Sequence, residues 1–122
     1  MKGPRQQAAL AEIALDIANI YAAWSWAVER TDLKHMGEAL EGLRLFCERK
    51  WRFEEGEEAC RLGATALASV ASMPGLRLRV RLLACQAAFS RLLERRAAAV
   101  ELLREAAALL HRVESAGADA RW

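Results

Sequence analysis

The stretch KWRFEEGEEACRLGATAL, residues 50–67, decides the fold. Phe53, Gly56, Cys60, Gly63 and Leu67 recur at three- and four-residue intervals, the spacing of one helix face. Two of these positions are glycines, and each interior glycine costs a helix roughly 0.5–1 kcal/mol relative to alanine. Such a helix needs a neighbour that comes close enough to offset the cost. Gly56 and Gly63 lie two turns apart on one face, so the preceding helix, across a short turn, is expected to press closest there.

Outward from this stretch the apolar residues keep helical spacing. A first segment carries Leu10, Ile13, Ala14, Ile17, Ile20, Tyr21, Trp24, Ala27 and Val28, and a second carries Leu33, Met36, Leu40, Leu43, Phe46 and Cys47. The third continues past Leu67 to Val70, and the last carries Ala99, Leu102, Leu103, Ala106, Leu110 and Val113. LRLRVRL at residues 76–82 alternates as a strand would, but a lone strand has nothing to pair with. The segment is read as a helix with two apolar faces, held between neighbours. Breaks are expected at Thr31-Asp32, at Ser72-Met73-Pro74-Gly75 and at Ala116–Asp119.

A shift of 43 residues superposes Leu40 on Leu83, Phe46 on Phe89, Arg52 on Arg95, Leu67 on Leu110 and Val70 on Val113. Gly56 falls on Ala99 and Gly63 on Ala106, small on small. The chain therefore reads as an all-α superhelix: a leading helix over 1–31, antiparallel hairpins over 33–72 and 76–116 joined by ERKWR and LERRA turns, and a tail over 117–122. Phe53, Gly56, Cys60, Gly63, Ala99 and Ala106 are the expected inter-helix packing positions.

An aromatic residue followed by small residues three and ten positions on, here Phe53, Gly56 and Gly63, resembles the second helix of a tetratricopeptide-type repeat. The spacing of 43 departs from the usual 34, and Arg44 stands where the first helix customarily has a small residue. Residues 19–63, NIYAAWSWAVERTD followed by EALEGLRLFCERKWRFEEGEEACRLG, resemble the start of the helical-repeat region of AfsR/LuxR-type signal-transduction NTPases. That resemblance implies a module of a longer regulatory protein, with any nucleotide site elsewhere and with neighbouring domains as partners. The ending DARW, where a further repeat would begin, fits that expectation.

Composition narrows the function. At 122 residues, 54% hydrophobic and 28% charged, the chain has the make-up of one globular domain. A net charge of +2 with interspersed acids does not suggest nucleic acid, and no apolar run would span a membrane. Three cysteines, Cys47, Cys60 and Cys85, without paired spacing, point to reduced thiols in the cytoplasm. No catalytic, metal or cofactor constellation is found. His35 and His111 read as surface histidines, and the acids at residues 54, 55, 57 and 58 as charges favouring a helix N-terminus. Arg91, Arg95 and Arg96 form either a solvated face or a patch for an acidic partner. Trp26 points about 200° away from Trp24 and joins Asn19, Ala22 and Ala23. It is either packed against a second neighbour or exposed at a contact surface. The expected function is a non-enzymatic protein-interaction or sensor module in signal transduction or transcription regulation, with a protein or peptide partner. Self-association as a homodimer is the alternative, and a small ligand-binding or enzymatic helical bundle a further one.

Overall fold

The computed structural model describes residues 4–120, with side chains described for Gln7, Ala8 and residues 16–116. Five helices follow one another: α1 Pro4–Arg30, α2 Leu33–Arg49, α3 Phe53–Ala66, α4 Met73–Leu92 and α5 Arg96–Ala120. No strand occurs among the described residues. Leu10, Ile13 and Ala14 of the first apolar stripe lie outside the described side chains. The LRLRVRL segment is helical, and Leu76, Leu78, Leu82 and Leu83 are all buried because α4 packs between α3 and α5.

Three of the four connections share one geometry. Thr31, Trp51 and Glu94 adopt left-handed φ values of 49°, 57° and 62°. The next residue in each case reaches back five positions: Asp32 N–H donates to the Ala27 carbonyl at 3.0 Å, Arg52 to Cys47 at 2.9 Å and Arg95 to Ser90 at 2.8 Å. This is the Schellman closure of a helix, and the residue that completes it immediately begins the next helix. Asp32 also caps α2, its carboxylate accepting from His35 N–H at 3.2 Å. Turns this short fold consecutive helices back on each other.

The fourth connection departs from expectation. The break runs from Leu67 to Ser72, not over Ser72–Gly75. Ser72 is the N-cap of α4, its hydroxyl accepting from Gly75 N–H at 3.3 Å, and Pro74 sits in the first turn, where a missing N–H costs nothing. At the other end, α5 continues to Ala120, beyond the expected stop at Ala116–Asp119.

The glycines of α3 face different neighbours from those expected. A Cβ on Gly56 would sit 2.7–2.9 Å from three ring carbons of Phe89 in α4. A Cβ on Gly63 would sit 2.7 Å from the Trp24 indole of α1 and 3.1 Å from Leu82 of α4. The close approach is thus made by α1 and α4, not by α2 across the hairpin seam. Bare backbone at Gly63 also opens the side of the helix, and the Trp24 indole N–H donates to the Ala59 carbonyl at 3.0 Å in the buried interior. The order Gly56–Phe89, Gly63–Leu82 runs oppositely along the two helices, so α3 and α4 are antiparallel.

The core gathers Trp24, Met36, Leu40, Leu43, Cys47, Cys60, Leu67, Leu82 and Phe89, each almost wholly removed from solvent. Burial of each large apolar side chain contributes about 1.5–3 kcal/mol. The only buried polar residue among those described, Ser90, donates to Glu57 Oε2 at 2.5 Å, and Arg95 donates to Glu57 Oε1 at 2.6 Å. The α4–α5 turn is thereby tied to α3. Of the expected packing positions, Gly56, Cys60, Gly63, Ala99 and Ala106 are buried and Phe53 is half-buried. Leu103 and Leu110, expected on the last buried stripe, are exposed; Leu109 is buried instead. Among the described residues α5 contacts only α4, so one side of its apolar surface has no cover.

Candidate interaction surface

The most organised exposed cluster lies where α1 turns into α2. Trp26 is 43% exposed, although it follows the core residue Trp24 by only two positions. Its indole is held from two sides. The Arg30 guanidinium carbon lies 4.4 Å from the ring centroid, a cation–π contact one turn along α1. The His35 ring meets it edge-on at 5.3 Å and 78°. His35 is in turn fixed by Asp32, Nδ1 to Oδ2 at 2.7 Å. The main-chain N–H of His35, donating to the Asp32 carboxylate, holds that carboxyl below its usual range. Trp26 is therefore an exposed aromatic with a fixed orientation. Ala23, Trp26, His35, Glu38 and Ala39 line a shallow hollow between α1 and α2.

A second hollow begins on the other side of the first turns of α2, lined by Leu33, Lys34, Gly37, Pro74, Arg77, Leu78 and Arg81. Lys34, Arg77 and Arg81 are exposed, which makes this face basic, with Glu41 4.0 Å from the Arg81 guanidinium at its edge. Arg77 and Arg81 lie one turn apart and so share a face, which the alternating run of arginines conceals in the sequence. Arg79 turns away and binds Glu105 of α5 at 2.7 Å.

The other residues singled out in the sequence are dispersed. Asn19 is exposed on α1, seven residues before Trp26 and on the same side of the helix. Arg91 is exposed at the end of α4, while Arg95 is engaged by Glu57, with Glu54 at 3.9 Å. Among the described residues the α1 backbone lies beside α2 and α3 and not beside α4 or α5, so Trp26 and Asn19 do not join Arg91 and Arg95 in one surface. Trp51, 80% exposed in the α2–α3 turn against Phe53, stands apart from both. It occupies the left-handed position of that turn.

The remaining polar groups do not assemble a reactive centre. No group of three or more potential metal ligands gathers among the described residues. Glu54 and Glu55 occupy the first turn of α3, where carboxylates favour the helix dipole. Burial pushes the Cys47 thiol up to about 11. Cys60 and Cys85 face each other across the α3–α4 contact. The neighbouring Cys85 thiol, followed by burial, holds Cys60 well above the usual thiol range. The same contact, assisted by Arg44 and Arg81, lowers Cys85 below the usual thiol range against the opposing effect of burial. No helix among the described residues is long and apolar enough to cross a membrane.

Comparison with protein families, curated proteins and solved structures finds no match. The functional reading therefore rests on the residues themselves.

Proposed function

We propose that the chain is a non-enzymatic protein-interaction module built as a tetratricopeptide-type superhelix, a leading helix followed by two antiparallel hairpins. The observation that carries this reading is Trp26, an exposed indole clamped between Arg30 and His35. A large aromatic already fixed in position loses little freedom when a partner covers it, and tryptophan is enriched among residues that dominate interface energies. The superhelix reading is supported by the equivalent turns at Lys50–Arg52 and Leu93–Arg95, one repeat length apart. The partner is a protein or peptide segment with an apolar anchor for Trp26 and acidic residues for Lys34, Arg77 and Arg81. The parent setting is that of a signal-transduction NTPase or transcription regulator of the AfsR/LuxR type, acting in the cytoplasm, where thiols such as Cys47, Cys60 and Cys85 stay reduced.

The test compares partners captured by the wild-type chain with those captured by Trp26→Ala and Trp51→Ala, each variant checked by thermal melting. Loss of a partner with Trp26→Ala alone, at unchanged melting temperature, is the expected result. Identical capture by all three proteins would refute the role of Trp26.

A further inference from the structure

Helix α5 has an apolar surface wider than its neighbour covers. Ala99, Ala106, Leu109 and Val113 are buried against α4. Val100, Leu103 and Leu110 remain 47%, 51% and 45% exposed, and Ala107 is exposed among them. These four residues recur at three- and four-residue steps, so they form a continuous stripe about 15 Å long on the side adjoining the buried face. Their counterparts one repeat earlier include Cys60, Ala64 and Leu67 of α3, all buried in a helix packed on several neighbours, α4 among them. The stripe therefore has the character of a helix–helix contact with its second helix missing.

The charges at its ends indicate what covers it. Arg96 lies one turn before Val100 and Glu114 one turn after Leu110, both exposed and both on the stripe's own side of the helix. Neither makes an ion pair among the described residues, whereas Glu101 pairs with Arg104 and Glu105 with Arg79. The pattern is symmetric about the middle of the stripe in spacing and opposite in charge. An antiparallel copy of α5 laid on it sets Val100 against Leu110 of the second copy and Leu103 against its Ala107. Arg96 then meets Glu114 of the second copy, and the reverse pair forms at the other end. This is the self-complementarity of a twofold interface, in which one patch serves both subunits.

We infer that two copies of this chain associate through α5, antiparallel, with the twofold axis passing at the level of residue 105. This surface is separate from the Trp26 hollow, and either can fail without the other. A parallel pairing places like charges together at both ends and is disfavoured.

Sedimentation equilibrium over a wide concentration range tests the inference with the full chain, its Leu103→Glu, Arg96→Glu and Glu114→Arg variants, and an equimolar mixture of the last two. All three substitutions are at exposed positions, and circular dichroism verifies the fold. The wild type is expected to dimerise reversibly, and Leu103→Glu to be monomeric throughout. Each charge reversal alone puts two like-charged pairs in the interface and should weaken association about tenfold or more. The mixture should restore it. In the mixed dimer the introduced carboxylate of one chain faces the introduced guanidinium of the other at one end, and the native Arg96 and Glu114 still meet at the other end. A wild type that stays monomeric overturns the inference, as does a dimer indifferent to Leu103→Glu. Weakening that the mixture does not restore overturns the antiparallel register.

Discussion

Replacing Gly56 by alanine tests the packing of α3 with an effect whose sign is diagnostic. On helix propensity alone, glycine to alanine in a helix interior stabilises by roughly 1 kcal/mol. Gly42 in α2 isolates that gain, because a Cβ there meets nothing within 4 Å. At Gly56 the same methyl group would stand 2.7 Å from Phe89 Cζ, with two further ring carbons inside 2.9 Å. Phe89 is 1% exposed, so its ring cannot swing aside without moving other core residues. Overpacking of this kind costs about 1–3 kcal/mol. The net expectation for Gly56→Ala is destabilisation by about 1 kcal/mol, against stabilisation by about 0.5–1 kcal/mol for Gly42→Ala. Phe89→Leu destabilises by itself but removes the obstructing ring. In that background Gly56→Ala should become neutral or stabilising, a coupling of at least about 1 kcal/mol between the two sites. Urea unfolding followed by circular dichroism at constant m-value measures all four corners of the cycle. If Gly56→Ala stabilises the wild type as much as Gly42→Ala does, the close-approach explanation of the interior glycines is wrong.

Glu94 holds a left-handed backbone in the α4–α5 turn, a conformation costing a non-glycine residue roughly 1–2 kcal/mol. Glu94→Gly is therefore expected to raise the unfolding midpoint by an amount corresponding to about 1 kcal/mol, and an unchanged or lowered midpoint would contradict the turn geometry. Among the three thiols, Cys85 is half-buried and Cys47 and Cys60 are buried, so Cys85 should be alkylated first by iodoacetamide. The neighbouring Cys60 thiol lowers its pKa, so alkylation should set in at a lower pH than that of an ordinary cysteine. Peptide mass mapping identifies the site, and earlier modification of Cys60 would refute the assignment.

The all-helical class was legible because the spacing Phe53, Gly56, Cys60, Gly63, Leu67 admits only one period. That same spacing shows the need for a close neighbour without naming it. A glycine marks where side chains must be absent, but Phe89 and Trp24, which fill the space, are distant in sequence and reach α3 only through the fold. The turn at Trp51 and its equivalent at Glu94 carry no glycine at their left-handed positions, so the usual marker of a helix end is missing there. The α3–α4 break is hidden for the opposite reason. Ser72, Pro74 and Gly75 look like a loop, yet a cap and a first-turn proline are also how a helix starts, while the actual break from Leu67 to Ser72 contains no glycine or proline. In α5, Leu102 and Leu103 both satisfy a helical stripe, as do Leu109 and Leu110. Only the placement of α4 determines which member of each pair is covered. Trp26 was legible as the residue opposite Trp24, but its fixation by Arg30 and His35 depends on the tight turn at Thr31-Asp32 that brings α2 beside α1.

The most direct test of this architecture is a set of nuclear Overhauser contacts from the two α3 glycines in the chain in solution. The Hα protons of Gly56 should show contacts to the Phe89 ring, and those of Gly63 to the Trp24 indole and the Leu82 methyl groups in the same sample. Contacts instead from both glycines to Leu40 and Leu43 of α2 would place the close approach at the hairpin seam. The arrangement of α1 and α4 around α3, and with it the surface that presents Trp26, would then be contradicted.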